Sequence, residues 1–266
     1  MPHMRRISPL VMGVLNVTPD SFSDGGRYLD PERAIEHGLE LVAQGADVVD
    51  VGGESSRPGA TAVSEEEELR RVLPVVEALA QSVRVSIDTT KRAVAVASAA
   101  AGATMLNDIS ASLFDVAAGN GMAWIAMHMQ GTPETMQAAP RYDDVVSEVR
   151  SFLVERARAA VSAGVAEVWI DPGIGFGKTA SHNVALMAGL ADIVSEGFPV
   201  LVGTSRKSFL GLIAPRADSS PSPVEERFEA SIATATWAML SGAQMVRVHD
   251  VAPTVQASKL VGPARF

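Results

Sequence analysis

Asn16, Asp50, Asp88, Asn107, His128, Asp171, Arg247 and His249 share one feature: each stands at or near the end of a short stretch rich in Val, Ile, Leu, Met or Ala, with Glu54, Ser205 and Lys207 close behind such stretches. Helix caps or buried hydrogen-bond partners explain one or two residues of this kind, not a polar group at nearly every equivalent position. Arg247 and His249 stand two residues apart, so on a strand they share a face. A guanidinium fork grips two phosphate oxygens and an imidazole donates a further bond, which suits a phosphate or diphosphate. The other reading of the pair is a salt bridge to Asp250 or another carboxylate. Lys207 opens the segment after the seventh run, where an amine can hold an anion or the polar edge of a ligand. His128, a single His between Met127 and Met129, reads as a packed or capping residue.

The elements that must position these groups are short strands. Runs rich in Val and Ile recur at residues 10–17, 47–53, 83–89, 105–110, 123–130, 168–173, 199–205 and 245–250. Helical spacing separates them, clearest after Ser64, where a capping box with Glu67 precedes Leu69, Val72, Val76 and Leu79 and where Pro74 predicts a kink. Further helices are predicted over 31–44, 92–101, 143–163, 181–195 and 224–241, with a last one after Pro253; the segment after 105–110 is short and its helical pattern faint. Repeated strand-helix units with right-handed crossovers build a parallel sheet, and eight of them predict an α/β fold, a (β/α)8 TIM barrel forming a single domain over residues 1–266. The Pro/Ser/Asp-rich stretch 214–223 is read as a long loop within it. In such barrels function gathers at the carboxyl ends of the strands, where the polar residues fall. Alternation places Val83, Val85 and Ile87 toward the helices and Arg84, Ser86 and Asp88 on the other face, so Asp88 points into the barrel mouth.

Composition narrows the chemistry. With 266 residues and 47% hydrophobic content the chain has ample material for a core, and its net charge of −9 disfavours nonspecific nucleic-acid binding. The absence of cysteine removes disulfides, thiolate-zinc sites and a Cys nucleophile. No apolar run approaches the ~20 residues of a membrane span. Residues 1–6 are basic, but the apolar run 10–17 is short and lacks a cleavage pattern, so the expected location is cytoplasmic. Glycine-rich turns at 24–26, 52–59 and 171–178 follow predicted strands and offer close backbone approach to a ligand. None has Walker spacing or the dinucleotide fingerprint, no HExxH offers zinc ligands, and Ser205 lacks nucleophile-elbow spacing.

Taken together, the segments NVTPDSFSDGG at 16–26, GGESSRPGA at 52–60, SIDT at 86–89, Asn107-Asp108, DPGIGFGK at 171–178, SRK at 205–207 and RVHD at 247–250 closely resemble the dihydropteroate synthase family. The resemblance spans nearly the whole chain, and the joint order of the motifs is far more specific than any one of them. It implies a barrel enzyme that joins 6-hydroxymethyl-7,8-dihydropterin diphosphate to p-aminobenzoate, giving 7,8-dihydropteroate and pyrophosphate, with Mg²⁺. Carried onto matching positions, Asp88, Asn107, Met127, Asp171, Gly203 and Lys207 would hold the pterin. Asn16, Arg247 and His249 would bind the diphosphate, with Asn16 giving an oxygen to the metal. Ser56, Arg57, Pro58, Phe176 and Lys207 would form the p-aminobenzoate side, which sulfonamides mimic. Asp88, Lys207, Arg247 and His249 would carry catalysis, and loops 18–27 and 55–61 would close the site. The family also implies a homodimer. Loop 214–223 and the short tail after Lys259 depart from a typical member but carry no site residue. Two rivals remain: a pterin-dependent methyltransferase, which has no diphosphate to bind and so no use for Arg57, Lys207, Arg247 and His249, and a noncatalytic pterin-binding barrel.

Overall fold

Parallel strands buried on both faces are built from predominantly apolar stretches, and the eight such stretches of the sequence each supply one. In the computed structural model, which describes residues 8–18, 31–55 and 62–262, these are β1 (Leu10–Asn16), β2 (Val48–Gly52), β3 (Arg84–Asp88), β4 (Met105–Asp108), β5 (Ala123–Met127), β6 (Val168–Asp171), β7 (Leu201–Val202) and β8 (Met245–Val248). They pair in the order β6-β5-β4-β3-β2-β1-β8-β7, and a parallel bridge from Ile170 to Val200 brings the two edges together. The result is the barrel expected from the unit count.

Helices cover the outside: α1 (Pro31–Ala43), α2 (Glu65–Leu79), α3 (Arg92–Ala100), α4 (Phe114–Gly119), α5 (Val145–Ser162), α6 (Ala180–Ala188), α7 (Leu190–Val194), α8 (Ser208–Ile213), α9 (Phe228–Leu240) and α10 (Val251–Val261). Several differ from expectation. The helix predicted over 181–195 begins after Thr179, whose hydroxyl accepts from the His182 N–H, and it breaks at Gly189, a poor helix former. The helix predicted over 224–241 starts as a 3-10 turn, Val224–Glu226, before α9. The capping box at α2 is half made: Ser64 accepts from Glu67 N–H at 3.2 Å, but the Glu67 carboxylate turns to Arg70 and Arg71. α2 runs through Pro74 as one helix. Helix α8, six residues long, was not anticipated, being too short to show a period.

Alternation along the strands sorts the core into two shells. Met12, Val48, Met105, Ile125, Trp169, Leu201 and Met245 fill the barrel interior. Val11, Leu15, Val49, Val51, Val85, Ile87, Leu106 and Ile170 face the helices in a larger cluster. Full burial of each such side chain contributes roughly 1.5–3 kcal/mol. A buried layer of Met, Val and Trp beneath the mouth gives the polar residues above it a rigid floor.

Candidate active site

Strand register sets the level of the site. Asn16 pairs with Gly52, Gly52 with Asp88, and Asp88 with Asn107, so four neighbouring strands present inward positions at one height. Gly52 keeps this row open: a Cβ there would stand 3.5 Å from Asp88 Cβ and 3.9 Å from Asn16 Oδ1. Asp50 lies one inward step below on β2 and is fully buried. Its Oδ2 accepts from Asn107 Nδ2 at 3.0 Å and from Arg247 Nε at 2.5 Å, while Arg247 Nη2 donates to Asp88 Oδ2 at 2.8 Å. One guanidinium thus joins two carboxylates from different strands.

The electrostatics follow from that sharing. Burial works against the charge of Arg247, but Asp50 and Asp88 more than offset it and raise its pKa. Burial pushes Asp88 up, to about 7; Arg247 opposes this and the neighbouring Asp50 adds to it. The carboxylate partners of Arg247 are thus Asp50 and Asp88, whereas Asp250 pairs with Arg206 at 2.6 Å. The two bonds leave further N–H groups of the guanidinium for an anion. His249 follows β8, and Ser205 sets its orientation: the His249 N–H donates to Ser205 Oγ at 3.2 Å, and the ring Nδ1 lies 3.1 Å from the same oxygen.

The other half of the mouth comes from β6 and β7. Asp171 is buried, and its Oδ1 accepts from the Gly173 N–H at 2.7 Å. Burial raises its pKa, while Lys207 and the Gly173 N–H pull it back. The Lys207 ammonium donates to the Ile174 carbonyl and stands 4.7 Å from the centre of the Phe176 ring, a cation-π contact. Burial brings its pKa down to about 8, with Asp171 opposing. Gly203 spaces the two cations, since a Cβ there would lie 3.6 Å from Arg247 Cβ and 3.8 Å from Lys207 Nζ. Met127 pairs in register with Asp171 and lines, with Asp88, Ile109, Thr89 and Thr132, a cavity of about 540 Å³ that opens beside the cluster. His128 packs as expected, edge-on to Phe152 with centroids 5.0 Å apart.

The structure thus gathers Asn16, Asp88, Asn107, Met127, Asp171, Phe176, Gly203, Lys207, Arg247 and His249 around one mouth. Ser56, Arg57 and Pro58, and the loop residues 19–27 and 56–61, lie outside the described residues. Two features escaped the sequence reading. Asp50, noted there as a polar strand-end residue but given no site role, is the hub that ties Asn107 to Arg247; its inward step below Gly52 was the available sign. Glu68 is buried on α2 and bound through Lys91, at 2.5 Å, to the start of the loop after β2, where Lys91 also holds Glu54. Its place on the 68/72/76 stripe of α2 was the sign there.

Comparison with known proteins adds the chemistry. The model of the pterin binding enzymes matches residues 12–249. Dihydropteroate synthase of Mycobacterium leprae is 49% identical over 261 residues, covering 95% of this chain and 92% of that protein. Among solved structures, dihydropteroate synthase of Yersinia pestis with a sulfonamide drug complex superposes with a TM-score of 0.87 at 45% identity, over 96% of this chain and 93% of that one. The Xanthomonas albilineans dihydropteroate synthase with 4-aminobenzoic acid does so with a TM-score of 0.87 at 48% identity, over 95% and 92%.

Proposed function

The chain belongs to the pterin binding enzymes as a dihydropteroate synthase, and on that premise we propose which of its groups carry each part of the reaction. The enzyme condenses 6-hydroxymethyl-7,8-dihydropterin diphosphate with p-aminobenzoate, releasing pyrophosphate and 7,8-dihydropteroate. The hydrogen-bonded chain Asn107–Asp50–Arg247–Asp88 carries the assignment, because it links the ring-binding side of the mouth to the anion-binding side.

The pterin lies between Asp171, Asn107 and Lys207, against Met127 and Gly203. Asp171 accepts N–H bonds from the aminopyrimidine edge, Asn107 offers donor and acceptor, and Lys207 donates to a ring acceptor. Asp50 Oδ1, buried and with no hydrogen-bond donor among the described residues, is a further acceptor whose desolvation a ring N–H offsets. The diphosphate meets Arg247, His249 and Asn16. Among the described residues no three His, Cys, Asp or Glu side chains form a metal site, and Asn16 offers one carboxamide oxygen beside the Asp88 level. That suits a hard cation held mainly by phosphate oxygens and water, so Asn16 is the residue that would hold Mg²⁺. When bound, the metal neutralises leaving-group charge.

Heterolysis of the C–O bond sends its electron pair into pyrophosphate, where Arg247 and His249 stabilise the developing charge. The methylene cation left behind faces Asp88, whose carboxylate stabilises it. The p-aminobenzoate amine, placed by Phe176, Lys207 and residues 56–58, attacks with its lone pair and loses a proton. Positioning and electrostatics suffice, without a protein nucleophile. Sulfonamides, one of which is complexed with the Yersinia pestis relative, would fit the same side as mimics of p-aminobenzoate.

The enzyme works as a cytoplasmic homodimer in this reading. Trp237 and Leu240 on α9 and Leu260 on α10 remain exposed, and these two helices pack together, giving a partner copy an apolar surface. No described helix is long and apolar enough to cross a membrane. The test is pyrophosphate release with each substrate and Mg²⁺ omitted in turn, beside Asp88→Ala and Arg247→Ala. Release that needs both substrates and falls about 100-fold or more in each variant supports the assignment. Full activity in either variant, pterin binding without turnover, or methyl transfer would overturn it.

A further inference from the structure

The loop after β6 is tied down by a buried amine to which the reaction assigns no role. Lys178 is 3% exposed. Its Nζ lies 3.0 Å from the Gly173 carbonyl, 3.0 Å from the Phe176 carbonyl, 3.2 Å from the His128 carbonyl and 3.0 Å from His128 Nδ1. Burial and the charge of Lys178 push the His128 pKa down to about 3, so its imidazole stays neutral and Nδ1 accepts. The amine therefore joins two carbonyls of the loop to the residue that follows β5.

Glycine makes this approach possible. Gly173 adopts φ +64° and Gly177 φ +63°; a Cβ on Gly173 would fall 1.9 Å from the His128 carbonyl oxygen, and one on Gly177 would fall 2.4 Å from that of Gln130. The loop backbone thus rests directly on the chain after β5. Tyr142 Oη adds a bond to the Gly177 carbonyl at 2.9 Å. Facing the mouth, the same loop presents the Ile174 carbonyl and the Phe176 ring, both of which meet the Lys207 ammonium.

We propose that Lys178 is a positioning residue for the arylamine side of the site: by holding the Gly173 and Phe176 carbonyls against His128, it fixes where the Phe176 ring stands. It touches no substrate and acts through Phe176. The inference rests on the assignment of Phe176 to p-aminobenzoate.

Lys178→Met keeps most of the apolar stem and removes every donor. Steady-state kinetics with both substrates are expected to show the KM for p-aminobenzoate raised about tenfold and sulfonamide inhibition weakened in parallel, with the KM for the pterin diphosphate within about twofold. Lys178→Gln, which returns amide donors, is expected to recover part of the loss. A merely structural role would lower the active fraction and apparent kcat without this split, and a folded Met variant with both KM values unchanged, or equally raised, overturns the proposal. Should that variant fail to fold, Tyr142→Phe carries the test through the Gly177 tether: a smaller selective rise in the same KM supports the proposal, and no change overturns it. Phe176→Ala separates the two levels. If it leaves the p-aminobenzoate KM unchanged, the site assignment itself fails; if it raises that KM while the Lys178 variants do not, only the positioning role fails.

Discussion

Replacing Arg247 by Met takes one cation from two carboxylates. The Asp50 side chain is 0% exposed and that of Asp88 12%, so the variant leaves two buried or nearly buried acids without their partner. Removing one member of a buried ion pair costs about 3–5 kcal/mol. At roughly 2–4 °C per kcal/mol for a chain near this size, the melting temperature falls by on the order of 10 °C. Pyrophosphate affinity loses charge-assisted bonds of about 1.5–3 kcal/mol each, roughly 10- to 150-fold per bond. The double variant Arg247→Met, Asp50→Asn removes one stranded charge while keeping an acceptor for Asn107, and is expected to regain about 0.5–3 kcal/mol of stability. It should regain no turnover, because the anion still lacks its guanidinium. Thermal melts and pyrophosphate calorimetry on the three proteins check both parts. A single variant that melts with the parent, or a double variant that recovers activity, would refute the reasoning.

Three further outcomes are expected. The Lys207 amine, with its pKa lowered by burial to about 8, is charged below that pH and neutral above it, so kcat/KM should fall as pH rises through about 8; a pH profile of Lys207→Met should lack that limb. Asp171→Asn keeps the shape but puts a donor in place of an acceptor toward the aminopyrimidine, and pterin affinity by calorimetry should fall roughly 10- to 100-fold with little loss of melting temperature. Gly173→Ala pairs a left-handed φ of +64° with a Cβ 1.9 Å from a backbone oxygen, so it should destabilise by at least about 1–3 kcal/mol in denaturant titration; an unchanged midpoint would show that the loop does not press on β5.

Much of this arrangement is legible in the sequence because the strands are short stretches rich in Val, Ile and Leu with polar residues at or near their carboxyl ends, and period-two alternation already sets Asp88 inward. Register then aligns Asn16, Gly52, Asp88 and Asn107, which no single run discloses. The pairing of Asp50 with Arg247 spans 197 positions, and only closure of the barrel between β1 and β8 brings it about. Local pattern was least informative where tertiary contacts override it. Glu68, in an acidic first turn that reads as solvated, is buried beside Lys91, and Lys178, at the end of a glycine-rich turn, is buried beneath it. The break at Gly189 and the short helix α8 fall below the length at which helical periodicity becomes visible.

The most direct measurement is a crystal structure of the protein with an unreactive analogue of the pterin diphosphate. The aminopyrimidine edge should lie on Asp171 and Asn107, with the phosphates on Arg247 and His249 and beside Asn16. A ring lodged instead in the cavity near Thr132, with Arg247 still on Asp50 and Asp88 and no phosphate contact, would contradict the proposed site.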